Sequence, residues 1–354
     1  MIDESGRTEV EWQDYCVGFR GEDSDIEEIF RERQAAGKVG VMSPGGKGNI
    51  PVLFSRGTAL AEAWENSLIA LAARGGFVRT QYDDKNSEND LYISPPSIDS
   101  TMNVIIEDPS SDPMIHKSFP GGLEDLEEYR QEVLDGIKDD WVRDQNDPND
   151  KRWEYTYHER MCNYKVPGLD KSIDQVAMMI DNLARSPITR RAQVISWKPW
   201  EDLNISDPAC FQSLWGRILR PNPEFELYSN EVNGEAKLNL NMRFRSRDAY
   251  DAAFMNDFAF INLAEYMAGQ ISEKRGEEVK LGRFIDQSDS YHIYGKKLEE
   301  FSDLFVKTLS ARPFEDRVWD RSFAQPIFDE AKLGIIAKVA AQDAKYREQG
   351  FGGK

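Results

Sequence analysis

The chain has 354 residues, with 44 Lys and Arg against 63 Asp and Glu, a formal net charge of −19. This balance excludes a general phosphate-backbone binder, which presents a basic face, so nucleic acid is not an expected partner. No run of about 18 apolar residues is present, so a membrane span is not expected either. Length alone suggests roughly two domains' worth of chain and ample material for a large core. The acidic, polar stretch from Met1 to Glu11 lacks the basic-then-apolar order of a secretory signal. Cys16, Cys162 and Cys210 are far apart and form no CxxC pair, so neither a disulfide framework nor a metal site is expected. A reducing cytoplasm is the expected compartment.

Residues 1–57 read as an N-terminal extension, with a charged, helix-compatible stretch from Asp23 to Ala36. Ser43-Pro44-Gly45-Gly46-Lys47-Gly48-Asn49 is a glycine-rich loop without the GxxxxGK[ST] spacing of a phosphate cradle. Thr58 to Arg74 places Leu60, Ala61, Trp64, Leu68, Ile69 and Leu71 at helical spacing and predicts a core helix ended by Gly75-Gly76. Strands are predicted over Phe77 to Thr80 and Thr101 to Ile106. Helices are predicted over Leu123 to Trp141 and Ser172 to Arg185, with a polar loop at Arg143 to Arg152.

From residue 190 the period changes to two. Strands are predicted at Arg191 to Trp197, Cys210 to Leu219, Phe225 to Tyr228 and Ala236 to Phe244. An apolar helix from Ala249 to Ala268 and a strand from Val279 to Asp286 follow. Helices near Lys296–Leu309 and Phe328–Arg347 precede a tail, Gly350 to Lys354, expected to be mobile. Helices and strands without regular βα alternation give an α+β fold.

Three segments carry chemistry when read together. The first is Ile188-Thr189-Arg190-Arg191-Ala192 followed by Trp197, and the second is Asp207-Pro208-Ala209-Cys210. The third is Arg245-Ser246-Arg247-Asp248, then Asn256, then Ser290-Tyr291-His292-Ile293-Tyr294. Singly, each has an ordinary reading: Cys210 as a small buried hydrophobe, the arginines as solvated charges, Asp248 as a helix cap. Together, Arg190, Arg191 and Arg245 suit a phosphate, because guanidinium forks match its oxygens. The same charges would favour a thiolate at Cys210 and so a nucleophile. Asn256 offers an amide that both donates to and accepts from a pyrimidine edge.

This set resembles thymidylate synthases and their nucleotide hydroxymethylase relatives, over about residues 58–310. The family's Arg-Arg pair, its Trp and its Cys nineteen residues after the second Arg correspond to Arg191, Trp197 and Cys210. Its Arg-Ser-x-Asp, Asn and His-x-Tyr correspond to Arg245-Ser246-Arg247-Asp248, Asn256 and His292-Ile293-Tyr294. Arg79-Thr80, Glu132 and the Tyr157 of Trp153-Glu154-Tyr155-Thr156-Tyr157 resemble upstream family positions.

The resemblance implies an α+β domain at 58–354, a mixed sheet packed with helices whose open face forms a homodimer interface. It implies one-carbon transfer from 5,10-methylenetetrahydrofolate to C5 of a pyrimidine nucleoside monophosphate, without a metal. Cys210 would be the nucleophile, Glu132 would organise proton transfer and Tyr157 would assist at C5. Arg79, Arg245 and Ser246 would hold the phosphate, with Arg190 and Arg191 supplied by the partner subunit. Asn256 and Lys198 would face the base, and His292 and Tyr294 the sugar. Asp248 and Trp197 would meet the folate. Phe211, Ala209, Lys198 and Asp251-Ala252 depart from the family's usual His, Pro, Asn and Leu-Gly. Those departures surround the base and the folate. Thymidylate synthesis from dUMP is the preferred reading. A 5-hydroxymethylase acting on a uracil or cytosine nucleotide and a non-catalytic nucleotide-binding homologue stay open.

Overall fold

A computed structural model describes residues 6–20, 25–145, 147–222, 227–229 and 234–351. The chain runs α1 (Glu9–Phe19), α2 (Asp25–Ala35), β1 (Val39–Ser43), β2 (Val52–Gly57), α3 (Leu60–Arg74), β3 (Gly76–Val78), β4 (Ser97–Ile106) and β5 (Ile115–His116). Next come α4 (Leu123–Asp135), α5 (Tyr157–Cys162), α6 (Gln175–Arg185), β6 (Gln193–Ile195) and α7 (Pro199–Asp202). Then follow β7 (Phe211–Asn222), β8 (Leu227–Ser229), β9 (Ala236–Phe244), β10 (Arg247–Asp248), α8 (Ala253–Arg275) and β11 (Val279–Ile293). Finally α9 (Leu298–Glu300), a π-helical turn and α10 (Lys307–Ala311) lead to β12 (Val318–Trp319) and α11 (Arg321–Glu348).

Ten strands form one mixed sheet, ordered β1-β2-β4-β11-β9-β7-β6 with β3, β8 and β10 attached beside β4, β7 and β11. The α+β architecture expected from sequence is the one observed. Strand alternation assigns the two faces. In β9, Ala236, Leu238, Leu240, Met242 and Phe244 are buried while Lys237 and Arg243 are exposed. The buried row continues across the sheet in register: Leu214, Met242, Asp286, Val104 and Ser55. Helices α3 and α8 pack on this side, and α8 is buried around most of its circumference, through Phe254, Phe258, Ile261, Met267 and Ile271. The adjacent row, Trp215, Asn241, Ile285 and Ile105, stays half-exposed on the opposite face.

Several boundaries differ from the sequence expectations. Residues 39–43 and 52–57, read as part of an extension, are strands of the main sheet, the first at its edge and the second between it and β4, and Ile26 and Phe30 of α2 belong to the core. The helix expected over 123–141 ends at Asp135, because Gly136 adopts φ +67 and an added Cβ would meet the His158 ring at 2.3 Å. The strand expected to stop at Asp286 runs to Ile293, which places His292 on a strand between β4 and β10. The last helix starts at Arg321 rather than Phe328 and tolerates Pro326 near its first turns. Of the strand expected at Phe225–Tyr228, Phe225 and Glu226 lie outside the described residues, as do residues 352–354 of the expected mobile tail.

Candidate active site

Cys210 ends the loop before β7 and is half-buried. β9 lies antiparallel to β7, so the Arg245 backbone N–H donates to the Cys210 carbonyl at 2.9 Å and its side chain returns over the cysteine. Arg245 Nη2 stands 3.6 Å from Cys210 Sγ, and the guanidinium is anchored by the carbonyls of Ala209 (3.0 Å) and Pro208. Burial pushes the thiol above its ordinary pKa, while the Arg245 charge and a hydrogen bond from Tyr155 pull it down. The resting group is a thiol with a cation positioned to stabilise its anion. Trp197 is half-buried beside the pair, its ring 6.0 Å from the Arg245 guanidinium, and its carbonyl accepts from Tyr164 at 2.8 Å.

A cavity of about 510 Å³, within the usual range for small-molecule sites, is lined by Glu132, Tyr129, Trp153, Tyr155, Tyr157 and Asp207, and Tyr155, which bonds the Cys210 thiol, links it to this pair. Glu132 projects from α4 and accepts from Lys138 Nζ at 3.0 Å. Burial raises its pKa above the ordinary carboxylate range, and Lys138 only partly offsets that, which favours a carboxyl that can take up a proton. Tyr157 starts α5 and packs on Phe211, Phe244 and Phe260 at 5.7–6.0 Å between ring centres. Phe211 itself is fully buried and forms an apolar floor there.

The far end of β11 supplies a second group. Ser290 Oγ donates to Asp99 at 2.8 Å and lies 3.2 Å from His292 Nδ1. Burial lowers the pKa of His292 and raises that of Asp99, so a neutral imidazole is favoured. The His292 and Tyr294 rings meet at 4.7 Å. Burial, then Asp248, Tyr82, Cys210 and Asp207, raise the Tyr294 pKa, which sets this phenol within electrostatic reach of the nucleophile. Asp248 Oδ1 accepts from the N–H groups of Tyr250 (3.0 Å) and Asp251 (2.8 Å), yet burial pushes its carboxyl up to about 6. Asn256, near the start of α8, donates from Nδ2 to the Tyr129 hydroxyl at 2.6 Å. Ser246 is half-buried between Arg245 and Arg247.

Other expected residues have different company. Arg79 pairs with Glu9 (3.0 Å) and Asp83 (3.3 Å), donates to the Ser94 carbonyl and stacks on Tyr92 at 3.7 Å. Its loop still approaches the end of β11, where Tyr82 meets Tyr294 at 6.3 Å. Lys198 is buried, with Nζ 3.1 Å from Glu159 and 3.5 Å from Glu201, inside an ionic group that includes Arg160 and Asp202. Arg190 and Arg191 are exposed ahead of β6 and form no ion pair among the described residues.

Sequence reasoning did not single out Tyr129 or Tyr155 as site residues. A signal for Tyr129 was its position three residues before Glu132, one turn back on the same helix face. Nor did it foresee Arg247, whose fully buried guanidinium pairs with Asp257 (2.8 Å) and Asp286 (2.5 Å) and stacks on Phe244 at 4.1 Å.

The thymidylate synthase family profile matches residues 122–318. A protein of Methanosarcina acetivorans named "Putative thymidylate synthase" is 26% identical over 239 residues, covering 68% of this chain and 88% of its own. A namesake from Methanocaldococcus jannaschii is also 26% identical over 239 residues, covering 67% and 88%. A "Thymidylate synthase" of Leuconostoc mesenteroides is 24% identical over 160 residues, covering 45% of this chain and 42% of its own.

Proposed function

The chain belongs to the thymidylate synthase family of one-carbon transferases, and we propose on that premise that it converts dUMP to dTMP through a covalent adduct on Cys210. The observation that carries this reading is the Cys210 Sγ to Arg245 contact at 3.6 Å, beside a cavity walled by Glu132 and Tyr157. A pyrimidine C5 is too weak a nucleophile to attack a one-carbon donor unaided. Addition of the Cys210 sulfur to C6 moves the ring electrons toward O4 and makes C5 reactive, splitting one hard step into two easier ones. Arg245 stabilises the attacking thiolate. Glu132 holds the proton that balances charge at the ring carbonyl, and Tyr157 stands at the C5 proton. Departure of the Cys210 sulfur restores the ring and frees the enzyme.

Methylenetetrahydrofolate, when bound, supplies the one-carbon unit and the hydride that reduces it. The residues present fit this cosubstrate. Asp248 offers a buried carboxyl, and Asp251 Oδ1 nearby is buried without a hydrogen-bond partner among the described residues, an acceptor suited to a pterin N–H. Trp197 gives an aromatic face. His292 and Tyr294 hold the sugar, Asn256 reads the base, and Arg245 with Ser246 and Arg79 holds the phosphate. The exposed Arg190 and Arg191 reach the phosphate of a partner subunit across a homodimer built on the open sheet face.

Incubation with 5-fluoro-dUMP and methylenetetrahydrofolate tests the proposal. A mass adduct on Cys210, together with dTMP formed from dUMP, is expected. Reversible nucleotide binding with no adduct refutes it.

A further inference from the structure

We infer that the Tyr129 hydroxyl is a positioning group that sets the base preference by holding the Asn256 amide in the sense that suits uracil. The inference rests on the reading above, in which Asn256 faces the pyrimidine.

Tyr129 lies on α4 one turn before Glu132, and both line the cavity. A phenol costs free energy to bury unless its hydroxyl is bonded, and a Phe would fill the same space without that cost. The hydrogen bond this hydroxyl makes is with Asn256 Nδ2, at 2.6 Å. The oxygen acts as acceptor there. The lone pair that receives Nδ2 sets the sense of the contact.

That arrangement fixes which end of the amide is nitrogen. One N–H goes to Tyr129. The second N–H and Oδ1, which bond no other protein group among the described residues, form one edge with a donor beside an acceptor. Uracil offers N3–H and O4, the complement of that edge. Cytosine offers an unprotonated N3 and an amino group, and would need the amide turned over. Turning it would set Oδ1 against the Tyr129 oxygen at hydrogen-bond distance in place of the donating Nδ2.

Tyr129→Phe removes one oxygen and keeps the ring that packs α4 on α8. Kd for dUMP and dCMP by calorimetry, and KM and kcat for both with methylenetetrahydrofolate, test the assignment. The dUMP over dCMP preference is expected to fall roughly tenfold, carried by Kd and KM rather than kcat. An unchanged ratio, including an equal loss for both nucleotides, overturns it, because a purely structural hydroxyl would weaken both alike. So does the absence of any dUMP preference in the unsubstituted protein. Failure of the unsubstituted protein to form dTMP while it still binds dUMP selectively counts against the thymidylate synthase reading alone, and the Kd ratio of the Phe variant then decides the role of Tyr129.

Discussion

Asp286→Asn is expected to flatten a loss of stability that runs from about pH 4 to pH 8. Asp286 occupies the middle of the core-facing row of the sheet, between Met242 and Val104, and has no exposure to water. It shares the Arg247 guanidinium with Asp257, so two buried carboxyls meet one buried cation. Full ionisation would leave an unbalanced negative charge in an apolar layer, so one proton is retained, and the Asp286 carboxyl is pushed up to about 8, chiefly by burial. An unfolded Asp titrates near 3.9. Between about pH 4 and 8 the native state therefore holds roughly one proton more than the unfolded chain, and stability falls as pH rises through that window. One proton corresponds to about 1.4 kcal/mol per pH unit, so moving from pH 6 to pH 8 costs about 2 kcal/mol through this group. An amide has nothing to lose. Urea unfolding at pH 5, 6, 7 and 8 should show the two proteins diverging steadily as pH rises, the variant gaining about 2 kcal/mol on the unsubstituted protein between pH 6 and pH 8. Parallel pH profiles for the two proteins would refute the assignment of a retained proton to this site.

Cys210→Ala should abolish dTMP formation while the Kd for dUMP changes by no more than about threefold; residual turnover in that variant removes Cys210 as nucleophile. Arg245→Ala should weaken dUMP binding by tenfold or more on the order expected for a charged hydrogen bond. It should also move the pH midpoint of Cys210 alkylation upward, since the cation that lowers the thiol pKa is gone; an unmoved midpoint would mean that the 3.6 Å contact has no electrostatic effect. Glu65→Gln removes a buried carboxylate that accepts from His116 (2.9 Å), Arg317 (2.7 and 2.8 Å) and Arg33 (3.1 Å). About 3–5 kcal/mol of stability should be lost, read as a fall in the urea midpoint, and a loss below about 1 kcal/mol would contradict it.

Apolar periodicity made α3, α6 and β9 readable, because each buries one or both faces in a regular pattern and is bounded by glycine, a polar cap or a charged turn. The Arg191–Trp197–Cys210 spacing and the Arg245 to Asp248 run were readable for another reason: they sit at the ends of β6, β7 and β9, which pair side by side. What stayed hidden was long-range. Glu65, Arg247, Arg160 and Lys198 look like surface charges in a linear sequence, and only their pairing across distant elements makes burial affordable. β1 and β2 are short strands beside a glycine-rich loop, and their place in the sheet depends on β4, more than 40 residues away. α11 begins seven residues before the predicted start, and Pro326 sits early enough in it that few backbone bonds are forfeited.

β11 is antiparallel to β4 over residues 284–293 and parallel to β9 over residues 279–288, so 284–288 have a ladder on each side, and Tyr291 and His292 lie between β4 and β10. Amides locked between two ladders exchange with solvent only when the molecule opens as a whole, whereas edge segments such as β1 and β6 fray on their own. His292 is thus mounted on strand paired on both sides, and Tyr294 follows one residue past its end. Thermal fluctuation at the rim would blur the mouth of the cleft and leave its back wall in focus.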